Sequence, residues 1–320
     1  MPDKFNESIH TTVLLDETVG YFVGLRSGWV IDATLGMGGH SNKLLTENTA
    51  INVLGIDQDT AAIKIAGERL AGFGDRFKSV HGNFVEIADL IAANGVANVT
   101  GIYADLGVSS LQFDSPERGF SFRFDAPLDM RMDSESDEPT AADILATYKE
   151  EDIANLIYQY GEERASRKIA RRIVERRERG EPVTTTKQLA DLVYGALKKG
   201  GKDKIHPATR TFQALRIAVN RELEILENFL WDSIRLLDED GVLAIITFHS
   251  LEDRIVKQTF QKASGRCFCP PRMPQCMCGA KKLVEILTKK PIVPGEEELN
   301  TNQRSRSAKL RVVKKLEQKV

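Results

Sequence analysis

Between Trp29 and Gly107, short runs rich in β-branched residues alternate with longer mixed stretches: WVIDAT (29–34), INVLGID (51–57), FKSVHG (77–82) and VTGIYADLG (99–107). Strands separated by helix-length segments predict a parallel, doubly wound α/β sheet, in which ligands sit at the carboxyl ends of the strands. Beyond Gly107 the period changes. After the acidic stretch DMRMDSESDEPT, Ile153, Leu156, Ile157 and Tyr160 mark one helical face. Leu189, Leu192, Val193, Ala196 and Leu197 mark another, with Thr184 to Thr186 as its N-cap. Spacings of three and four residues bury one stripe per helix, so residues 110–205 are expected to form a small helical insertion. A long helix follows from about Ala208 to Leu237, and the strand VLAIITF (242–248) resumes the α/β pattern. LVEILT (283–288) and AKLRVVKK (308–315) are expected closing strands, which makes 1–109 with 206–320 one domain and 110–205 a second.

The 320 residues, 42% hydrophobic and 28% charged, have the composition of a folded globular chain, which excludes fibrous and disordered classes. The longest apolar run, Val242 to Phe248, is too short to cross a bilayer, and the polar start MPDKFNES lacks signal-peptide character. A cytoplasmic protein with no membrane partner is therefore expected. The net charge of −2 is unevenly distributed: residues 266–320 hold thirteen Lys and Arg against five Asp and Glu. Such segregation suits either a polyanionic partner or a merely solvated basic tail. All four cysteines, Cys267, Cys269, Cys276 and Cys278, lie in CFCPPRMPQCMCG. Two C-x-C pairs can surround a tetrahedral zinc, although structural sites more often use C-x-x-C; the alternative is a Pro-rich loop with reduced thiols.

The first strand runs into Asp32-Ala-Thr-Leu-Gly36-Met-Gly38-Gly39-His40-Ser41, a glycine-rich turn that opens a helix. Asp57 ends the second strand 21 residues after Gly36, where a carboxylate accepts hydrogen bonds from the ribose hydroxyls of an adenosine-containing cofactor. A dinucleotide fingerprint requires glycine or alanine where Ser41 stands, and it gives no role to Asp32. An acid ending the first strand suits instead a cofactor bearing an ammonium group. S-adenosylmethionine has one, so methyl transfer is expected, with NAD-linked hydride transfer as the rival.

The fourth strand ends in Asp105-Leu106-Gly107-Val108-Ser109-Ser110. The lone pair of an exocyclic base amine is delocalised into its ring, so a methyltransferase acting there needs acceptors that hold its N–H bonds. Asp105, with the Ser109 or Ser110 hydroxyl, can supply them; it can equally bind the cofactor or cap a helix. The fifth strand ends in Thr247-Phe248-His249-Ser250-Leu251-Glu252-Asp253. His249 can take up a proton or hydrogen-bond a base, while Thr247 or Ser250 can cap the next helix, with Asp253 in a capping box.

Longer strings then coincide with one family: HTTVLLDE (10–17), DATLGMGGHS (32–41), DLGVSS (105–110), RGFSF (118–122), PLDMRMD (127–133), YGEER (160–164), HPATRTFQALRIAVNREL (206–223), FHSLEDRIVK (248–257) and RSRSAKLR (304–311). Over nearly its whole length the chain resembles the ribosomal RNA small subunit methyltransferase H family, also called MraW. The resemblance implies a class I (Rossmann-like) S-adenosylmethionine-dependent methyltransferase with an inserted helical domain for substrate recognition. Its implied activity is N4-methylation of a cytidine in 16S rRNA of the 30S subunit, at the decoding centre near the P site, with no DNA partner. Matching motifs make Gly38, Gly39, His40, Asp57, Phe84, Asp105 and Gln112 the expected cofactor contacts; Asp105 and His249, from their places at the ends of the fourth and fifth strands, are the expected catalytic residues. Leu111 and Gln303 stand where the family pattern leads one to expect proline. The cysteine segment is not shared by all members, so no metal is expected at the catalytic site. Arg304, Arg306, Lys309 and Arg311, with the insertion's RKIARRIVERRER, are expected to hold rRNA phosphates.

Overall fold

The computed structural model describes residues 12–197, 206–270, 273, 275 and 277–317. The chain divides into two compact units, residues 1–107 with 223–320, and 108–222.

The first unit opens with a short helix, α1 (Leu15–Val19), and continues β1 (Gly28–Asp32), α2 (Gly39–Glu47), β2 (Ile51–Asp57), α3 (Thr60–Leu70), β3 (Phe77–His81), α4 (Ile87–Ala93) and β4 (Val99–Asp105). The alternation read from the sequence is thus realised. After the second unit come α11 (Glu222–Leu236), β5 (Val242–Thr247), α12 (Ser250–Ala263), β6 (Val284–Ile286), α13 (Glu296–Thr301) and β7 (Lys309–Lys315). The seven strands lie in the order β3-β2-β1-β4-β5-β7-β6. The first five pair in parallel, and β7 runs antiparallel between β5 and β6. Strand order reverses between β1 and β4, the switch point at which open α/β sheets bind ligands.

Burial on both faces explains the continuous apolar runs, since a parallel sheet covered by helices leaves no solvent face to alternate with. On one side Ile31, Leu54, Ile102 and Ile245 pack with Ile87, Leu226, Phe229, Leu230, Val256 and Phe260. On the other, Val30, Val53, Tyr103 and Ile246 pack with Leu14, Phe22, Leu44 and Leu45. Fully buried Leu44 and Leu45 each contribute about 1.5–3 kcal/mol by leaving water.

The second unit is helical: α5 (Ser110–Asp114), α6 (Ala141–Thr147), α7 (Glu150–Gly161), α8 (Ser166–Glu178), α9 (Thr186–Leu197) and α10 (Thr209–Val219). Its core joins Ile153, Leu156 and Ile157 to Ile169, Ile173, Leu189, Val193, Phe212 and Leu215. The expected stripes therefore face one another. Two expectations need correction. The single helix over Ala208–Leu237 is two helices, because Arg221 adopts a left-handed φ of 52° and the Asn220 side chain leaves the helical pattern. Asn220 Nδ2 donates to the Met130 and Arg216 carbonyls at 2.8 Å, its Oδ1 accepts from the Met132 amide at 2.8 Å, and a two-pronged Arg216–Glu222 pair spans the break. As a consequence the boundary expected at 205 falls at Glu222, with α10 inside the helical unit.

Candidate functional site

The carboxyl ends of β1, β2 and β4 carry Asp32, Asp57 and Asp105, three acids on neighbouring strands at one sheet edge. Their surroundings give them different work. Asp32 is buried, and its Oδ2 accepts from Ser41 Oγ at 2.7 Å and from the Tyr103 hydroxyl at 2.8 Å. Burial raises its pKa to about 6, against the pull of those two donors and the Thr34 amide. Asp32 thus braces the glycine turn from beneath. Ser41 is what the position requires: a glycine there removes a hydroxyl shared by Asp32 and Tyr103.

The turn folds back on β2. Gly36, at φ 51°, donates its amide to Asp57 Oδ2 at 2.7 Å, and the Asp59 amide donates to Asp57 Oδ1 at 2.9 Å. Burial again lifts the Asp57 carboxyl to about 6, partly offset by those backbone donors. Gly38, at φ 74°, is the residue preceding α2, and a Cβ there would lie 2.9 Å from Leu70. A Cβ on Gly39 would overlap the Thr12 side chain. Both glycines are therefore required for the close approach of this turn to the Leu70 and Thr12 side chains, leaving the amides at the start of α2 to face a ligand. His40 is placed otherwise than its expected role suggests: the imidazole is buried, with Nε2 3.1 Å from the Val13 carbonyl. Its backbone, not its ring, belongs to the turn. Phe84 is half-buried beyond β3, its ring 4.8 Å from that of Phe229.

Asp105 differs from both other acids. Its amide donates to Thr34 Oγ1 at 2.6 Å, while its buried Oδ1 has no hydrogen-bond partner among the described residues. Burial, together with the negative charges of Asp32, Glu252 and Glu298, holds its pKa well above the ordinary carboxyl value. A buried acceptor without a donor carries a desolvation cost of order 1–3 kcal/mol, which a ligand N–H relieves. The site therefore fits a cofactor or substrate that brings a donor to this edge.

His249, two residues past the end of β5 at the same edge, is the N-cap of α12. Its Nδ1 accepts from the Glu252 amide at 3.3 Å, and Glu252 Oε2 accepts from the amides of Phe248 and His249, completing a capping box. Nε2 lies 3.1 Å from Glu252 Oε1, off hydrogen-bond alignment, with the side chain only 8% exposed. The capping box exists, but its members are His249 and Glu252 rather than Thr247 or Ser250 with Asp253. Asp253 instead receives Arg311 Nε at 2.6 Å and Lys309 Nζ at 3.1 Å. Burial alone would raise its carboxyl, yet those two cations hold it below the ordinary value. Arg311 is consequently an internal ion-pair partner, not a phosphate contact, whereas Arg304 and Arg306 are exposed.

Gln112 and Ser109 belong to the helical unit. They form the capping box of α5, and Gln112 Nε2 also donates to the Met132 carbonyl at 3.4 Å. Of the side chain of Ser110 nothing is described. Within α8, Arg177 donates to the carbonyls of Leu145, Ala146 and Tyr148, closing the end of α6, while Arg167, Lys168 and Arg171 are exposed. Tyr103 and Thr34 are the functional residues the sequence reading passed over. Tyr103 sits inside an apolar strand and reads as core; only its pairing position opposite Asp32 reveals the hydroxyl's use.

No described helix is long and apolar enough to cross a membrane. A ribosomal RNA small subunit methyltransferase H from Carboxydothermus hydrogenoformans is 47% identical over 97% of this chain and 99% of its own length. Relatives of the same name from Trichlorobacter lovleyi (48% identical, 96% of this chain, 98% of the relative) and Brevibacillus brevis (47%, with 96% and 98% covered) match as fully. The sequence model of one family spans residues 7–316, nearly the whole length over which these strands, helices and glycine turn extend, and the chain belongs to that family, the MraW methylase family.

Proposed function

We propose that this chain transfers a methyl group from S-adenosylmethionine to small-subunit ribosomal RNA, and that the target is N4 of a cytidine in 16S rRNA at the decoding centre near the P site. Family membership and the names of its relatives support the rRNA substrate. The observation that carries the chemistry is the buried Oδ1 of Asp105 at the end of β4, which has no donor among the described residues. S-adenosylmethionine supplies an electrophilic methyl group on a sulfonium. Gly38, Gly39 and the His40 amide at the start of α2 would hold it, with Asp57 for its ribose hydroxyls and Phe84 against adenine. Asp57 is already oriented for two donors by the Gly36 and Asp59 amides.

Asp105 would accept an N–H of the cytosine amine, which localises the nitrogen lone pair for in-line attack. As the new N–C bond forms and the C–S bond breaks, the amine releases a proton, and a carboxylate with a raised pKa takes it up more readily than an ordinary one. The base must leave its RNA stack to reach such an edge. Ser109, as cap of α5, shapes the segment that follows β4. Exposed Arg304 and Arg306 in the first unit, and Arg167, Lys168 and Arg171 on α8, would hold phosphates in a salt-dependent way. The His249 ring acts through the fold, by capping α12.

The test is incubation of the pure protein with labelled S-adenosylmethionine and under-methylated 30S subunits, followed by nucleoside analysis of the 16S rRNA. Label is expected as N4-methylcytidine. Label on another nucleoside overturns the target atom, and cofactor binding with no label overturns methyl transfer in favour of an RNA-binding assembly factor.

A further inference from the structure

Among its described residues, the segment joining α12 to β6 has no buried apolar cluster of its own. Phe268 is 54% exposed, Met277 79% and Met273 40%, and Ser264 and Lys282 close the segment's base through one backbone bridge. Something other than apolar burial must order it, and the side chains that converge there are thiols. The sulfurs of Cys267, Cys269 and Cys278 all lie within 4.8 Å of one another, and Cys267 Sγ is 3.7 Å from Cys278 Sγ. Zinc–thiolate bonds of about 2.3 Å in a tetrahedron put neighbouring sulfurs about 3.8 Å apart. The Met277 amide donates to Cys269 Sγ at 3.3 Å, the kind of backbone donor that orients a metal-bound sulfur. Lys262 and Arg266 line a shallow pocket with Cys267.

We propose that Cys267, Cys269 and Cys278 bind a zinc ion that staples this segment. Each thiol loses its proton to solvent and donates a sulfur lone pair to the metal; no redox change is involved. The two C-x-C halves come from opposite ends of a proline-rich stretch, so one ion ties both to the end of α12. Cys276 lies outside the described residues, and the proposal commits to the three described sulfurs. Nothing in it depends on the methyltransferase reading.

The experiment uses the full-length protein, purified under reducing conditions without chelator, and measures bound zinc by elemental analysis. About one zinc per chain is expected, together with release of the ion by a thiol-blocking mercurial. Cobalt substitution should produce thiolate-to-cobalt charge-transfer absorption and the intense visible bands of a tetrahedral site. The charge-transfer band should weaken in each of Cys267→Ser, Cys269→Ser and Cys278→Ser. Limited proteolysis between residues 264 and 282 should accelerate when the ion is removed. A wild-type protein that retains no zinc after reconstitution, or full zinc retention by the Cys267→Ser/Cys278→Ser variant, overturns the proposal. The wild-type zinc and cobalt measurements decide the matter even where a variant fails to fold.

Discussion

β4 and β5 are hydrogen-bonded neighbours, and each delivers a polar residue to the same sheet edge: Asp105 at the end of one, His249 just past the end of the other. Asp105 presents a buried acceptor with no donor, among the negative charges of Asp32, Glu252 and Glu298. His249 spends Nδ1 on the first turn of α12 and sets Nε2 against Glu252. Position along a strand makes both candidates for chemistry. Each leaves one buried atom without a hydrogen-bond partner among the described residues, Oδ1 of Asp105 and Nε2 of His249; what separates them is that the imidazole is committed through Nδ1 to capping α12 and faces the Glu252 carboxylate, whereas Asp105 stands among like charges and gains its desolvation cost back only from a ligand's donor.

The largest effect expected from this contrast is on turnover. Asp105→Ala should lower kcat by about 10²–10⁴-fold, the range for a lost proton acceptor, while the melting temperature holds or rises because an unpaired buried carboxyl has gone. Near-normal methyl transfer would break the comparison at its centre. Arg311→Ala comes next, on stability: it leaves Asp253 mostly buried with only Lys309 beside it, which should cost roughly 3 kcal/mol in denaturant titration. Loss of RNA affinity with intact stability would instead restore Arg311 to the phosphate-binding set.

Proton linkage sharpens the role of the third acid. Asp57 titrates near 6 in the folded protein against an ordinary value of 3.8, so its contribution to stability is fully present below that lower value and lost as pH rises through 6. A ligand hydroxyl that donates to the carboxylate has the opposite preference. S-adenosylhomocysteine affinity should therefore be complete above pH 6 and fall, by up to about tenfold per unit, as pH drops below it. Calorimetric titration across that window checks this, and a flat profile would remove Asp57 from the ribose. The smallest effect belongs to His249. His249→Ala should cost about 1 kcal/mol of stability as a lost N-cap, His249→Asn should recover most of it, and kcat should change little. A collapse of kcat with unaltered melting would make the ring catalytic.

Much of the architecture was legible in the chain. The runs WVIDAT, INVLGID, FKSVHG, VTGIYADLG, VLAIITF, LVEILT and AKLRVVKK all became strands; the central ones are contiguous and apolar because the sheet is buried there on both faces, while the half-exposed edge strands β3 and β6 carry more polar residues. The glycine turn and its distant acid were legible too, as Gly36 and Asp57 meet through a single hydrogen bond fixed by parallel pairing of β1 and β2. The break at Asn220 was not, because a helix-compatible side chain was diverted by the Met130 carbonyl and the Met132 amide, 90 and 88 positions earlier in the chain. The role of Tyr103 escaped for a similar reason.

Local propensity and hydrophobic period act over a few residues, so they were enough to settle which segments are strands and helices and to bring acids to one edge. Hydrogen-bond partners and ion pairs are chosen between residues far apart in the chain, such as Asp32 with Tyr103 and Asp253 with Arg311. Those choices set which acids are braced, which cations are consumed internally and which carboxyl oxygen at the end of β4 has no donor among the described residues. They depend on long-range packing, and no spacing of letters encodes them.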